Sequence, residues 1–247
     1  MGIGNYGSDY ILDIAVFGAQ IRMKIVVCVR TLNEELAIGR FCQCYAWADE
    51  ILISDGGSSD KTLDIARQYP NTQIHHFPDK VWHTDKIFSN PRGKHINYLI
   101  DWAHREKADW IIFDDCDCVP TADLQKWGRN FMEYGNNDTI FAYRMFVLGK
   151  DRWFPEMSKK QSLWAWKATV PVRADEDNYT IRMQIPDVSK IALNNPYALL
   201  HYFYPNEETF QRKKEQYLLT GEVNKKYNPL QQFGRLEELP DWAVYEK

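Results

Sequence analysis

Trp110-Ile111-Ile112-Phe113-Asp114-Asp115-Cys116-Asp117 is the stretch that decides the fold. Its first four residues are a continuous apolar run, the pattern of a short strand buried on both faces. Three carboxylates follow at once. Crowded at a strand end they repel one another and lose hydration, so something positive has to offset them. A divalent metal holding a polyphosphate meets that need, because hard oxygen donors suit Mg2+ or Mn2+. The plainer alternative is a solvated acidic turn.

Upstream, the same pattern recurs. Ile25-Val26-Val27-Cys28-Val29 is a second unbroken apolar run, and Ile51-Leu52-Ile53-Ser54 a third. Between them Asn33 can cap a helix over 34–47. Asp55-Gly56-Gly57-Ser58-Ser59-Asp60 is a tight turn rich in glycine and capping residues, followed by a helix over 61–68. Residues 73–77 form a shorter strand, and 93–107 a long helix that leads into the acidic strand. The order βαβαβαβ at short spacing predicts a mostly parallel sheet with right-handed crossovers and helices on both faces. Ligands of such sheets bind beyond the carboxyl ends of the strands. Asn33, Asp55, and Asp115 with Asp117 all fall there, so three separate segments converge on one rim.

Downstream the pattern loosens. Residues 122–134 read as a helix and 139–148 as a strand. Asn206 can cap an amphipathic helix that runs to Thr220 and stops at Gly221. Residues 1–22 have no basic start and only short apolar pieces, so they match neither a signal peptide nor a membrane span. They read as a peripheral extension, with Met23 as an alternative start that N-terminal sequencing of the native protein would test.

The chain has 247 residues, of which 45% are hydrophobic, enough for a substantial core. Its net charge of −4 gives no whole-domain attraction to nucleic acid. Five cysteines without a CxxC pair disfavour a structural zinc site and suit reduced thiols in the cytoplasm.

Thr31-Leu32-Asn33-Glu34-Glu35, the run Ala48-Asp49-Glu50-Ile51-Leu52-Ile53-Ser54-Asp55-Gly56-Gly57-Ser58-Ser59-Asp60-Lys61-Thr62, and Asp115-Cys116-Asp117 together resemble family 2 glycosyltransferases. Within that family the chain looks nearest the bacterial lipopolysaccharide-core, glucosyltransferase-like branch. The resemblance implies the GT-A fold, a Rossmann-like α/β architecture with an irregular C-terminal acceptor region. It implies one domain over 23–220, with a nucleotide-sugar half at 23–120, an acceptor half at 121–220, and a tail at 221–247. It also implies transfer of a sugar from a nucleotide-sugar donor, UDP-linked and by analogy UDP-glucose, to an acceptor hydroxyl with inversion. The acceptor would be a carbohydrate, glycolipid or other hydroxyl-bearing molecule. A lipid-borne acceptor would place a cytoplasmic protein peripherally at the inner membrane face.

Roles follow from the resemblance. Thr31, Asn33, Glu34 and Glu35 would line the nucleotide pocket, and Asp55 would bond the base or ribose. Arg92, Lys94 and Asn97 would lie near the donor. Asp115 and Asp117 match the DxD positions: Asp115 would reach the ribose or a metal-bound water, and Asp117 the Mn2+ or Mg2+. His201 would complete the metal shell. The acceptor hydroxyl needs a base, and Glu176, Asp175 and Asp177 are the candidates in that order.

Each residue has a blander reading. The Asp55–Asp60 stretch could be only a capped turn, Glu34 and Glu35 a favourable helix start, and Arg92 and Lys94 surface charge. The 175–177 cluster could be an exposed loop, and His201 a hydrogen-bonded core histidine. Trp153-Phe154-Pro155 and Leu163-Trp164-Ala165-Trp166 could stack sugars, although core packing is favoured. Two other functions compete. A sugar nucleotidylyltransferase would carry a glycine-rich basic loop where Arg30-Thr31-Leu32-Asn33-Glu34 stands. A catalytically degenerate carbohydrate-binding protein would have no need of both Asp115 and Asp117. A dinucleotide oxidoreductase is disfavoured, because no GxGxxG follows the first strand.

Overall fold

The computed structural model describes residues 22–77, 92–149, 151–155, 161–176, 183–204, 237–243 and 245. The expected extension at 1–22 (but for Arg22), the helix at 206–220 and Asp177 lie outside the described residues.

The apolar runs form the centre of the sheet. β1 (Ile25–Thr31) lies between β2 (Glu50–Asp55) and β4 (Trp110–Phe113), parallel to both, and β3 (Thr72–His76) adds a parallel edge beyond β2. Both faces of β1 are covered, which is why its sequence shows no alternation. Ile25, Val27 and Val29 pack with Ile38, Phe41 and Cys42 of α1 (Ile38–Cys44) and with Tyr45 just beyond it. Val26, Cys28 and Leu52 pack on the other face with Ile96, Leu99 and Ile100 of α3 (Arg92–Arg105). The remaining crossover carries the short α2 (Thr62–Ala66).

Past β4 the sheet changes sense. β8 (Gln161–Lys167) pairs antiparallel with β4, and β6 (Thr139–Leu148) antiparallel with β8. β5 (Cys118–Pro120) leads into α4 (Ala122–Tyr134), whose first turn is capped by the Thr121 hydroxyl accepting from the Leu124 N–H. β7 (Arg152–Trp153) folds back on β6. β9 (Arg173–Ala174) and β10 (Met183–Gln184) form a small separate ribbon, and β11 (Lys190–Ala192) runs parallel to β6. β12 (Ala198–Tyr204) lies parallel to β6 and antiparallel to β5, while β13 (Glu237–Glu238) edges β7. The mostly parallel α/β sheet expected from the sequence is therefore parallel through β4-β1-β2-β3 and mixed beyond it.

The helix expected over 34–47 is shorter, and Asn33 does not cap it. Asn33 has φ +54° and sits in a loop whose hydrogen bonds go sideways to the 58–62 turn. α1 starts after Ala37 with no side-chain cap. Tertiary partners outbid the local capping preference here. Trp164 and Trp166 are wholly enclosed, so the core reading of that aromatic stretch holds and a sugar-stacking role for these two rings does not. None of the five cysteines forms a disulfide.

Candidate active site

The strand register aligns Thr31 with Asp55 at the carboxyl ends of β1 and β2. Asp55 is fully buried, and every donor that meets it is internal. The Thr31 hydroxyl donates to it at 3.1 Å, the Gly57 and Ser58 amides at 2.9 Å each, and the Ser58 hydroxyl as well. The imidazole of His76 stands 3.5 Å away. Gly57 has φ +103°, a conformation that glycine adopts without strain. Asp55 thus organises the turn from beneath. The neighbouring loop is laced to the same turn. The Asn33 side-chain oxygen accepts from the Ser59 N–H at 2.8 Å, the Glu34 N–H donates to the Thr62 hydroxyl at 2.7 Å, and the Glu35 carboxylate accepts from the Lys61 N–H at 3.2 Å. Asn33, Glu34 and Glu35 therefore form one wall of the rim, with Thr31 and Asp55 buried beneath it.

The acidic strand end is neutralised in a way that sequence reasoning missed. Arg30, the penultimate residue of β1, donates to Asp115 at 3.1 Å. Arg144, from β6, donates to Asp114 at 3.0 Å and to Asp115 at 3.4 Å. Asp114 is wholly buried; desolvation pushes its carboxyl up to about 6, with Arg144 opposing and Asp115 adding to the rise. For Asp115 desolvation acts upward too, but Arg30 and Arg144 outweigh it and hold the carboxyl well below the usual range. A signal was present in the sequence: each arginine stands in a strand of mostly apolar residues, where a charge persists only if it is paired.

Asp117 and His201 come together. β12 pairs antiparallel with β5, setting His201 opposite Cys118, and the Tyr202 N–H donates to the Asp117 carbonyl at 2.8 Å. The His201 Nε2 then lies 3.2 Å from the Asp117 carboxylate. Among the described residues no group of three His, Cys, Asp or Glu side chains is arranged to hold a cation. What the rim offers is a carboxylate and an imidazole side by side, next to an Asp115 engaged by two guanidiniums.

The candidate base segment docks on the start of α3. The Asn97 amide donates to the Ala174 carbonyl and to the Glu176 carboxylate, each at 3.0 Å, and its oxygen accepts from the Ala174 N–H at 2.8 Å. Asn97 is thus spent on holding this segment. A Cβ on Gly93 would collide with the Asp175 carbonyl oxygen, so glycine is required for the close approach. Glu176 is exposed and Asp175 half-buried. Arg92 opens α3, and Lys94 is exposed in its first turn.

A third residue, His95, was also missed. His95 is fully buried, with Nε2 at 2.7 Å from the Ser54 hydroxyl and 3.0 Å from the Ser54 carbonyl, and its ring stacks on Phe77. Burial first, and the nearby Arg30 charge second, lower its pKa to about 4, so it is a neutral prop beneath the end of β2.

Residues 26–192 match the family model described as Glycosyl transferase family 2, and the chain belongs to that family. Among solved structures it resembles S. aureus TarS 1-349 in complex with UDP-GlcNAc (14% identity, TM-score 0.51, 72% of this chain and 58% of that one). It also resembles TarS 1-349 in complex with UDP (15% identity, TM-score 0.52, 72% and 60%) and S. aureus TarS (16% identity, TM-score 0.52, 82% and 41%). This chain thus spans less than two thirds of those chains, and at such identities the likeness shows a shared fold. No curated protein sequence matches it. Among the described residues no helix is long and apolar enough to cross a membrane.

Proposed function

We propose that this protein is a metal-dependent glycosyltransferase that moves a sugar from a UDP-linked donor to an acceptor hydroxyl with inversion. The observation that carries the reading is the Asp117–His201 pair, 3.2 Å apart at the carboxyl rim of a family 2 chain, beside an Asp115 flanked by Arg30 and Arg144. The pair fits a divalent cation: the carboxylate suits Mg2+ or Mn2+, and the imidazole favours Mn2+ of the two. Such an ion, when bound, stabilises charge on the departing diphosphate.

The chain's own residues supply the rest. Arg30 and Arg144 offset the charge of Asp114 and Asp115, so the rim can receive a diphosphate without the repulsion of bare carboxylates. The wall formed by Asn33, Glu34 and Glu35, stiffened from below by Thr31 and Asp55, receives the nucleoside. Arg92 and Lys94, in the first turn of α3, flank the donor. Glu176, held by Asn97, takes the proton of the acceptor hydroxyl, with Asp175 as its neighbour and Asp177 as the remaining candidate. The fold-level likeness to a protein seen with UDP and UDP-GlcNAc supports a uridine donor. Resemblance to the lipopolysaccharide-core branch favours UDP-glucose and a carbohydrate or glycolipid acceptor. The test is hydrolysis of UDP-glucose and UDP-GlcNAc with Mn2+ and again with chelator. Chelator-sensitive release of UDP is expected; no binding or turnover of either donor with Mn2+ present would overturn the proposal.

A further inference from the structure

Arg144 lies in β6 between residues packed in the core: Ala142 and Met145 are completely buried. A guanidinium there loses hydration and is retained only where its donors are met. Two adjacent carboxylates meet its two terminal nitrogens, Asp114 at 3.0 Å and Asp115 at 3.4 Å, while Nε has no hydrogen-bond partner among the described residues. Asp114 has no exposed surface, so it cannot touch a substrate. It is held from behind by the Tyr45 hydroxyl at 3.1 Å, which in turn accepts from the Trp164 indole N–H at 3.1 Å. In front, the backbone N–H of Asp115 donates to Asp114 at 3.0 Å. A continuous hydrogen-bonded path thus leads from an indole in the core to a partly exposed carboxylate on the rim.

From this geometry we infer that Arg144, anchored by Asp114, is a positioning residue that sets the Asp115 carboxylate for the donor. The inference rests on the function proposed above. The planar fork of arginine spans both carboxylates at once, whereas the single ammonium of lysine cannot hold both in the same geometry. Asp114 serves as the anchor and is neither a donor contact nor a metal ligand.

A double-mutant cycle on the full chain tests this, read on UDP-sugar hydrolysis and on UDP binding by calorimetry with Mn2+. Arg144→Lys is expected to raise KM for the donor roughly tenfold with a smaller change in kcat, the pattern of lost ground-state binding. In an Asp115→Asn background the same substitution should change KM less than about twofold, because the group it acts through is already altered. Should Arg144→Lys not fold, Asp114→Asn takes its place in the same cycle with the same expectation. Multiplicative effects of the two substitutions, or an unchanged KM in folded Arg144→Lys, would overturn the inference while leaving the functional reading intact. Absence of UDP binding by the wild-type protein would overturn both.

Discussion

Gly93→Ala places one methyl group where the backbone of the candidate base segment passes. The added carbon would meet the Asp175 carbonyl carbon at 2.8 Å and the Glu176 Cα at 2.9 Å, besides the carbonyl oxygen itself. These are main-chain atoms, so relief requires the 174–176 segment to lift from α3. Lifting it breaks three hydrogen bonds to the Asn97 amide. At about 1 kcal/mol each, that is a loss of roughly 3 kcal/mol. Alanine returns about 1 kcal/mol through helix propensity. The net cost is about 2 kcal/mol, or a fall in Tm of roughly 4–8 °C for a chain of this size. Transfer should fall much further than stability, because Glu176 loses its held geometry, while UDP affinity changes little. Differential scanning calorimetry, UDP titration and acceptor transfer measured on one preparation separate these effects. A folded variant with wild-type Tm and wild-type transfer would refute the docking of 174–176 on α3 and its part in the reaction.

Three further outcomes are expected. Glu176→Gln should lower transfer to acceptor at least about 100-fold, the low side of general-base contributions, with donor binding retained; equal rates in both proteins would move the base elsewhere. His95→Gln should change how stability responds to acid: the folded-state pKa of about 4 lies below the ordinary 6.5, so the neutral imidazole stabilises the fold above that range and the contribution fades as pH falls from 6.5 toward 4. The stability gap between wild type and variant in urea melts should therefore shrink by about 3 kcal/mol across that window, an order-of-magnitude figure, and a constant gap would contradict the assignment. Arg129→Ala removes a guanidinium that donates to the Met23 and Trp47 carbonyls and to Asp49, which also accepts from the Ile25 N–H. Burial raises the Asp49 pKa, but the Ile25 amide and Arg129 outweigh it and leave it lowered, so its stabilisation is present above the unfolded value and lost as pH falls. The variant should lose about 1–3 kcal/mol near neutrality and lose less than wild type on acidification, both readable from Tm against pH.

The parallel half of the fold was legible because burial on both faces writes itself as unbroken apolar runs, as in β1, β2 and β4. α4 and β6 were also legible, at Ala122–Tyr134 and Thr139–Leu148, while the Thr121 cap emerged only in the structure. Asn33 was misread because its partners, Ser58 and Ser59, belong to another loop, and sequence shows only the local option of capping. The need for positive charge beside Asp114 and Asp115 was legible, but its source was not. Part of it is Arg30, 85 residues upstream of Asp115, and part is Arg144, whose arrival depends on how β6 joins the sheet. His201 beside Asp117 likewise follows from the antiparallel register of β5 and β12. The resemblance suggested that pairing; spacing alone could not. Asn97 was expected near the donor; that its amide holds Ala174 and Glu176 was not legible.

Binding of Mn2+ in the presence of UDP, followed by the manganese EPR signal, bears most directly on the rim. Wild-type protein should take up the ion with the nucleotide, and Asp117→Ala, with unchanged circular dichroism, should lose that uptake by at least about 100-fold, more than is usual for groups one step removed from a metal. Equal uptake by the two proteins, or sugar release from UDP-glucose and UDP-GlcNAc that proceeds unaltered in chelator, would show that the aspartate and histidine at the sheet's edge do not hold a cation for catalysis.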